Sequence, residues 1–302
     1  MSDNEYLVQI MKKIEFPEEA LEFLAKEWEE VRGGPVGKQI LEGYDEYESS
    51  EKPDFDKILD QISEVSEKEN RNPNTEHMLF FLLISRHLRE KYKKLGYSDE
   101  IFYDTVRDLK WKLLECMSTD GIWGIICGGW ECGFYVPDRF AIGRLQYELW
   151  NHRKRYTAHG ITVHPGSIVL AMHIPSSGPL TPDKCMDSFK KAHVFYKDYF
   201  PSGITVFTVG SWLLFPKHRE FLPENSNILK FMDFFDIYDS HEEKPGERND
   251  MWRIFGKDWN LPAEQLPRDT GLRRAYADWL QQGGNVGYAD GIFFFDGEKI
   301  IR

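Results

Sequence analysis

The chain has 302 residues, of which 41% are hydrophobic and 15% aromatic, a composition typical of a well-packed globular protein with room for two domains. Its formal net charge of −12 argues against nucleic acid as a partner, because binding phosphates needs clustered Lys and Arg. No apolar run reaches the roughly 18 residues that a membrane span requires, and the first residues carry no signal-type segment. We therefore expect a cytoplasmic protein without a membrane partner.

The first 118 residues show helical periodicity and carry most of the negative charge. Apolar residues recur at helical spacing at Leu7, Ile10, Met11 and Ile14. Similar patterns cover residues 17–31, 55–65, 76–94 and 98–113, and no strand pattern competes with them. We predict an acidic, all-helical N-terminal domain over residues 1–118, built as a bundle of about five or six helices.

The four cysteines do not form a metal-binding pattern. They are Cys116, Cys127, Cys132 and Cys185, and their spacing matches no common zinc motif. In a cytoplasmic chain they are most simply reduced thiols, and we expect no metal. Cys127 and Ser211 are weak candidates for a catalytic role, because small residues in buried strands usually serve packing.

Strand patterns begin after residue 118, where the sequence becomes rich in glycine. Arg144, Gln146 and Glu148 alternate with apolar neighbours, which predicts a half-buried strand with three polar residues on one face. Further strands are predicted over 167–174, 203–215, 251–255 and 291–297, and helices over 181–200, 227–238 and 269–282. Residues 119–302 are therefore predicted to form a second, α+β domain with mixed strands and helices.

A loop of small residues joins one of these strands to a helix. The segment Ser176–Leu180 leads into a helix with Thr181 as its cap and Pro182 at its first position. Such a loop exposes backbone N–H groups beside the positive end of the helix dipole, which suits an anion. Ser, Gly and Pro are also ordinary turn residues, so the loop alone does not distinguish an anion site from a simple turn.

Several segments together resemble a known family. After the helical region come GRLQYEL, HIPSSGPLTPDKCMDSFKKA, SWLLFP and GNVGYADGIFFF. This order resembles a bacterial family of GNAT-like N-acyltransferases, in which a helical N-terminal domain precedes a divergent GNAT-like domain. The resemblance covers nearly the whole chain and implies a GNAT-like mixed β-sheet flanked by helices. It also implies acyl-CoA, acetyl-CoA or longer, as the co-substrate.

The resemblance places the CoA pyrophosphate at the loop after the fourth GNAT strand, where main-chain N–H groups hold it. The matching residues here are Ser176, Ser177, Gly178, Leu180 and Thr181. The usual signature, R/Q-x-x-G-x-G/A, is only partly present because a single glycine remains in the loop. The proline that follows this glycine cannot donate an N–H, so the resemblance implies a narrower cradle than usual.

The resemblance also directs attention to an acid and a base. Typical members place a proton-donating Tyr seven residues after an Asn; aligning Asn227 with that Asn puts Phe234 at the Tyr position. Tyr238, one turn further along the predicted helix, is the nearest substitute. The candidate bases are Glu148 and His173, since an amine acceptor must lose a proton.

Each candidate base has a structural alternative. Glu148 could form an ion pair with Arg144 or face solvent, and His173 could be a hydrogen-bonded histidine of the core.

We interpret the chain as a transferase that moves an acyl group from acyl-CoA to an amine or similar nucleophile on a small-molecule acceptor, by direct attack in a ternary complex. One alternative is a catalytically degenerate GNAT-fold module that binds CoA, an acyl group or a peptide. Another is a carboxylate-based hydrolase using Glu148, for which no paired acid is evident. The sequence leaves the acyl length, the acceptor and the oligomeric state open.

Overall fold

The N-terminal region forms eight consecutive α-helices rather than the expected five or six, because residues 35–49 and the glycine-rich residues 128–135 are also helical. They are α1 (Asp3–Lys13), α2 (Glu18–Val31), α3 (Pro35–Ser49), α4 (Phe55–Lys68), α5 (Pro73–Lys94), α6 (Asp99–Val106), α7 (Asp108–Asp120) and α8 (Gly128–Tyr135). Helix α5 is the central element, and its residues 78–84 are buried on every side. This burial explains why the sequence there is continuously apolar rather than amphipathic.

The computed structural model describes residues 1–243, 247 and 250–302 and divides the chain into two compact units, Met1–Phe140 and Ala141–Arg302. The first unit thus ends later than the expected position after residue 118. The glycine-rich segment forms α8, which packs on the helical core. The Tyr135 hydroxyl donates a hydrogen bond to the carbonyl oxygen of Phe81, and the Tyr47 hydroxyl donates one to the carbonyl oxygen of Tyr135.

The second unit combines a mixed sheet with helices. Its elements, starting at the boundary, are β1 (Arg139–Ile142), β2 (Leu145–Asn151), β3 (Tyr156–Ala158), β4 (Ile161–Val163), β5 (Ile168–His173), α9 (Pro182–Phe195), β6 (Thr205–Ser211), α10 (His218–Phe221), α11 (Asn227–Met232), β7 (Asp236–Glu242), α12 (Trp252–Phe255), α13 (Gly271–Gln281), β8 (Gly287–Phe295) and β9 (Ile300–Ile301). The main sheet has the order β1-β2-β5-β6-β8-β7, and β9 pairs with β8. Strands β5 and β6 are parallel, whereas β2 with β5, β6 with β8 and β7 with β8 are antiparallel. The prediction of an α+β fold with a GNAT-like mixed sheet is confirmed.

The two faces of the sheet are covered differently. On one face α9 packs through Phe189, whose ring lies 5.5 Å from that of Phe207 and 4.9 Å from that of Phe293. On the other face the β3–β4 hairpin packs on a smaller apolar cluster that includes Val169 and Ile292. We call this second face the hairpin face. Alternation along each strand decides which side chains reach it.

Two predicted elements differ from the structure. Residues 251–255 were expected to form a strand, but 252–255 form the helix α12. Five apolar-rich residues are too few for periodicity to separate the two states. The helix expected over 227–238 ends at Met232, and Tyr238 lies on strand β7. The buried residues Phe231 and Phe235 lie on either side of the helix end, and their ring centroids are 5.1 Å apart. Tertiary packing therefore decides where the helix ends.

Candidate functional site

Strands β5 and β6 separate partway along their length. Their parallel pairing joins Leu170 to Phe207 and Ala171 to Thr208. Among the described residues this pairing goes no further, although β5 continues to His173 and β6 to Ser211. A gap therefore opens between the carboxyl ends of two central strands. Ligands in open sheets with parallel strands bind at such ends.

The two candidate bases meet beside this gap. In the antiparallel register of β2 and β5, Gln146 lies opposite His173 and Glu148 lies opposite Ala171, so all four side chains share the hairpin face. The Nε2 of His173 lies 2.7 Å from Oε1 of Glu148, at the distance of an N–H···O hydrogen bond to a carboxylate. Both side chains are partly buried, at 23% and 17% exposed. We call these two residues the carboxylate–imidazole pair.

Arg144 does not form the ion pair with Glu148 that was the structural alternative to a catalytic role for this carboxylate. Gly143 adopts a positive φ of 68°, which turns the chain between β1 and β2 and places Arg144 in that turn rather than on the strand face. The guanidinium instead donates hydrogen bonds to the carbonyl oxygens of Pro175, at 3.1 Å, and Gly178, at 2.6 Å. Arg144 therefore fixes the conformation of the loop that follows β5.

The loop after β5 leads into a helix start that lacks a side-chain cap. Thr181 occupies the N-cap position of α9, but its side chain accepts no cap hydrogen bond. Asp54, Ser98 and Thr270, at the N-caps of α4, α6 and α13, all accept such bonds. The Thr181 side chain therefore accepts no hydrogen bond from the N–H groups in the first turn of α9. A bound anion would supply an acceptor for these groups.

The remaining loop residues differ in exposure. Leu180 is buried and anchors the loop, whereas Ser176 and Gly178 are exposed and Ser177 is partly buried. Gly178 has a φ of 103°, a conformation that side chains with a Cβ rarely adopt. An ideal Cβ on Gly178 would meet no heavy atom within 4 Å, so the space above it is open. A ligand can therefore approach the backbone of this turn closely.

The expected acid is not beside the carboxylate–imidazole pair. Strands β5, β6 and β8 separate Tyr238 on β7 from Glu148 on β2. Burial raises the pKa of Tyr238 to about 12, and its ring packs against that of Tyr156. Phe234, at the position where the family resemblance expects a tyrosine, packs against Phe189 in the apolar layer on the opposite face of the sheet.

The two weaker catalytic candidates have structural roles or unfavourable surroundings. The Ser211 hydroxyl accepts a hydrogen bond from the Leu213 N–H and so caps the short turn after β6. Cys127 belongs to the helical unit, and burial raises the pKa of its thiol to about 12, which disfavours the reactive thiolate.

The sequence reasoning missed three residues that share the hairpin face with the pair. Gly210 on β6 lies opposite Asp290 on β8, and Tyr288 is two residues away on the same strand. The alternation of Tyr288, Asp290 and Ile292 was visible in the sequence. It was missed because the strand was expected to begin at Gly291, whereas it begins at Gly287.

Neither a metal site nor a membrane span is found in the described part of the chain. Across residues 1–243, 247 and 250–302 there is no group of three or more His, Cys, Asp or Glu side chains that could hold a metal ion. In the same residues, no helix has the length and apolar character needed to cross a membrane.

A mixed sheet whose parallel strands separate beside a loop entering a helix N-terminus defines a GNAT-like fold. Comparison with family models agrees with this class. A model described as a GNAT-like C-terminal domain matches residues 140–293, and one described as an N-acyltransferase N-terminal domain matches residues 5–135. The chain belongs to the family of GNAT-like N-acyltransferases with a helical N-terminal domain.

Solved structures with the same fold cover most of the chain. An acyltransferase in complex with decanoyl-CoA superposes with a TM-score of 0.72 at 21% identity, over 94% of this chain and 86% of that chain. An acyltransferase in complex with decanoyl-CoA and teicoplanin has a TM-score of 0.69 at 20% identity, over 97% and 87% of the two chains. A mutant acyltransferase in complex with octanoyl-CoA has a TM-score of 0.70 at 22% identity, over 95% of this chain and 87% of that chain. No curated protein sequence matches the chain significantly.

Proposed function

We propose that this protein transfers an acyl group from acyl-CoA, acetyl-CoA or longer, to an amine of a small-molecule acceptor by direct attack in a ternary complex. The observation that carries the proposal is the carboxylate–imidazole pair beside the gap between β5 and β6. Similar folds bind decanoyl-CoA and octanoyl-CoA, and one binds teicoplanin together with decanoyl-CoA. These ligands support an acyl-CoA donor and a small-molecule acceptor.

The CoA phosphates are proposed to bind at the turn formed by residues 176–181. In a trans peptide the C=O and N–H groups point in opposite directions. Because the carbonyl oxygen of Pro179 faces the Arg144 guanidinium, the N–H group of Leu180 points away from it. Together with the first turn of α9, this group forms an anion cradle, even though Pro179 itself donates no N–H.

The carboxylate–imidazole pair is proposed to accept the acceptor's proton. An R–NH3⁺ group gives one proton to the pair, and the neutral amine nitrogen then attacks the thioester carbonyl carbon. The new C–N bond forms, the C–S bond breaks, and the CoA thiolate leaves. The nitrogen loses its second proton, which protonates the thiolate directly or through solvent. The products are an amide, CoA–SH and the proton held by the pair.

A binding module without turnover is the second candidate function. Its support is the apolar packing of Phe234, which leaves the usual tyrosine acid absent, and the separation of Tyr238 from the pair. Turnover distinguishes the two functions, whereas acyl-CoA binding is common to both.

Thermal-shift titration with CoA, acetyl-CoA, octanoyl-CoA and decanoyl-CoA is the first experiment. A donor at a hundred times its dissociation constant should stabilise the protein by about 2.7 kcal/mol. Release of CoA thiol is then followed with the best donor and a panel of primary amines. Amine-dependent release with a matching amide product supports the transferase, and donor binding without release supports the binding module. No shift with any donor would contradict both.

A further inference from the structure

The hairpin face has a second polar site across the gap from the carboxylate–imidazole pair. In the sheet order β5-β6-β8, Gly210 of β6 lies next to the gap, and Asp290 of β8 lies directly opposite Gly210. Gly210 is exposed although its strand is central in the sheet. The floor of a cleft therefore reaches the sheet at this position, on the same face as Glu148 and His173.

Two polar groups reach over Gly210 into this cleft. A Cβ atom placed on Gly210 would lie 2.4 Å from the Tyr288 hydroxyl oxygen and 2.7 Å from Oδ1 of Asp290. Both side-chain ends therefore occupy the space that any other residue at position 210 would fill. The missing side chain brings a hydroxyl and a carboxylate together at the edge of the gap.

Asp290 differs from the neighbouring carboxylates on this face. Asp236 lies 2.7 Å from the His159 ring, and Asp239 forms an ion pair with Lys154. No hydrogen bond or ion pair in the described structure includes the Asp290 carboxylate. Burial and the charge of Asp239 raise the pKa of Asp290, and the opposing effects of Lys154, His241 and His152 do not cancel this increase.

A side-chain nitrogen of a buried histidine beside Asp290 also has no hydrogen-bond partner within the described part of the chain. His152 is 6% exposed, and its Nε2 has no hydrogen-bond partner among the described residues. Its ring packs edge-on against Tyr238, with 6.0 Å between ring centroids. Burial lowers the pKa of His152, and the nearby charge of Asp290 opposes this shift without cancelling it. A buried polar atom without a partner is costly, and functional sites are where such atoms are retained.

We propose that Asp290 and the Tyr288 hydroxyl bind the ammonium group of the acyl acceptor across the gap from the carboxylate–imidazole pair. The acceptor is then a primary amine that arrives as a cation, rather than an alcohol or a thiol. A carboxylate binds an ammonium through charge-assisted hydrogen bonds, and the hydroxyl oxygen accepts another N–H. This inference rests on the proposed function, because it names the acceptor class for the same site.

Benzylamine and benzyl alcohol test the proposal, because they have nearly the same shape and differ in charge. Their binding to the CoA-loaded protein at pH 7.5 is measured by ligand-observed NMR titration. We expect the wild type to prefer benzylamine. Asp290→Asn should weaken benzylamine binding about 10- to 100-fold, the loss expected for a charge-assisted hydrogen bond, and leave benzyl alcohol binding and CoA affinity unchanged.

Three further variants separate a direct contact from a general change. Tyr288→Phe should weaken benzylamine about 2- to 10-fold. Gly210→Ala should weaken it too, because the added methyl group displaces both polar groups. Asp236→Asn is the matched control, because it removes a carboxylate from the same face of the sheet. Asp236 is already paired with His159, so this variant should leave benzylamine binding unchanged.

Failure of this inference is distinguishable from failure of the proposed function. Equal affinity of the wild type for both probes, or benzylamine binding that Asp290→Asn does not change, overturns the assignment of the acceptor site. In that case acyl-CoA binding and amine-dependent thiol release can persist, and the proposed function stands. Absence of acyl-CoA binding to the wild type instead overturns the proposed function.

Discussion

The helical unit and the sheet unit both contain buried ionisable side chains, but in different settings. In the helical unit Glu76 and Glu131 are fully buried, and burial raises the pKa of Glu131 well above its ordinary value. In the sheet unit Glu148 and His173 are only partly buried, and His173 lies at the end of β5, where this strand separates from β6. A perturbed pKa is thus not enough to identify a site in this protein. The opening in the sheet is the more informative feature.

The largest expected effect is a loss of kcat, and it tests whether the catalytic residues lie in the sheet unit. Glu148→Gln keeps the shape and removes the charge, so kcat should fall about 10²- to 10⁴-fold while acyl-CoA affinity is nearly unchanged. His173→Gln should have an effect of similar size, because both residues act as one unit. Steady-state kinetics and calorimetry with the best acyl-CoA measure the two quantities.

Glu76→Gln in the helical unit is the control for this comparison. It also replaces a buried carboxyl by an amide, and it should alter stability without changing kcat. A normal kcat in Glu148→Gln with lowered thermal stability would assign the pair to structure. A large loss of kcat in Glu76→Gln would show that the helical unit also contributes to catalysis.

The second prediction concerns stability and pH, for which the units should respond in opposite directions. Burial lowers the pKa of His218 from 6.5 to about 4, so the unfolded chain binds its proton first. The stability that neutral His218 contributes is therefore lost as pH falls from 6.5 to 4, by about 3 kcal/mol in total. Burial raises the pKa of Glu76 from 4.5 to about 8, so the unfolded chain releases this proton first, and the stability that protonated Glu76 contributes is lost as pH rises from 4.5 to about 8.

Urea unfolding between pH 4 and 9 measures this contrast. His218→Gln should reduce the loss of stability as pH falls from 6.5 to 4, and Glu76→Gln should reduce the loss as pH rises from 4.5 to 8. The two variants serve as controls for each other. Identical pH profiles in the wild type and in both variants would show that neither group is linked to folding.

The smallest predicted effect distinguishes two turns within the sheet unit. Gly178 and Gly203 both have positive φ values, 103° and 75°, and an added Cβ would meet no atom within 4 Å at either. Valine at either position should therefore cost a similar 1–3 kcal/mol of backbone strain. Gly178→Val should in addition weaken acyl-CoA binding about tenfold, because it changes the proposed phosphate turn.

Calorimetric titration of both valine variants with acyl-CoA checks this prediction, and Gly203→Val is the matched control. Equal acyl-CoA affinity in Gly178→Val and the wild type would remove the turn from the site. Equal losses in both variants would attribute the effect to general destabilisation instead.

Local patterns predicted most elements of this protein, and the misses have a common cause. Most helices of the first unit follow from 3.6-residue periodicity, although α3 and the glycine-rich α8 were not predicted. Strands β2 and β5 follow from alternation, and α9 follows from the Thr181–Pro182 helix start. Segments with competing patterns were misread. Residues 252–255 form a helix, and Tyr238 lies on a strand, because burial of neighbouring aromatic rings decides between states that local propensity leaves nearly equal.

The sequence by itself determined the fold class, the loop at residues 176–181 and the candidacy of Glu148 and His173. These depend on short-range patterns or on a family resemblance that short motifs carry. Only the tertiary structure decided that Glu148 contacts His173 rather than Arg144, and that Asp290 lies across a gap in the same sheet face. Such proximities depend on strand order and register. Both arise from packing between segments distant in the chain, which no local pattern encodes.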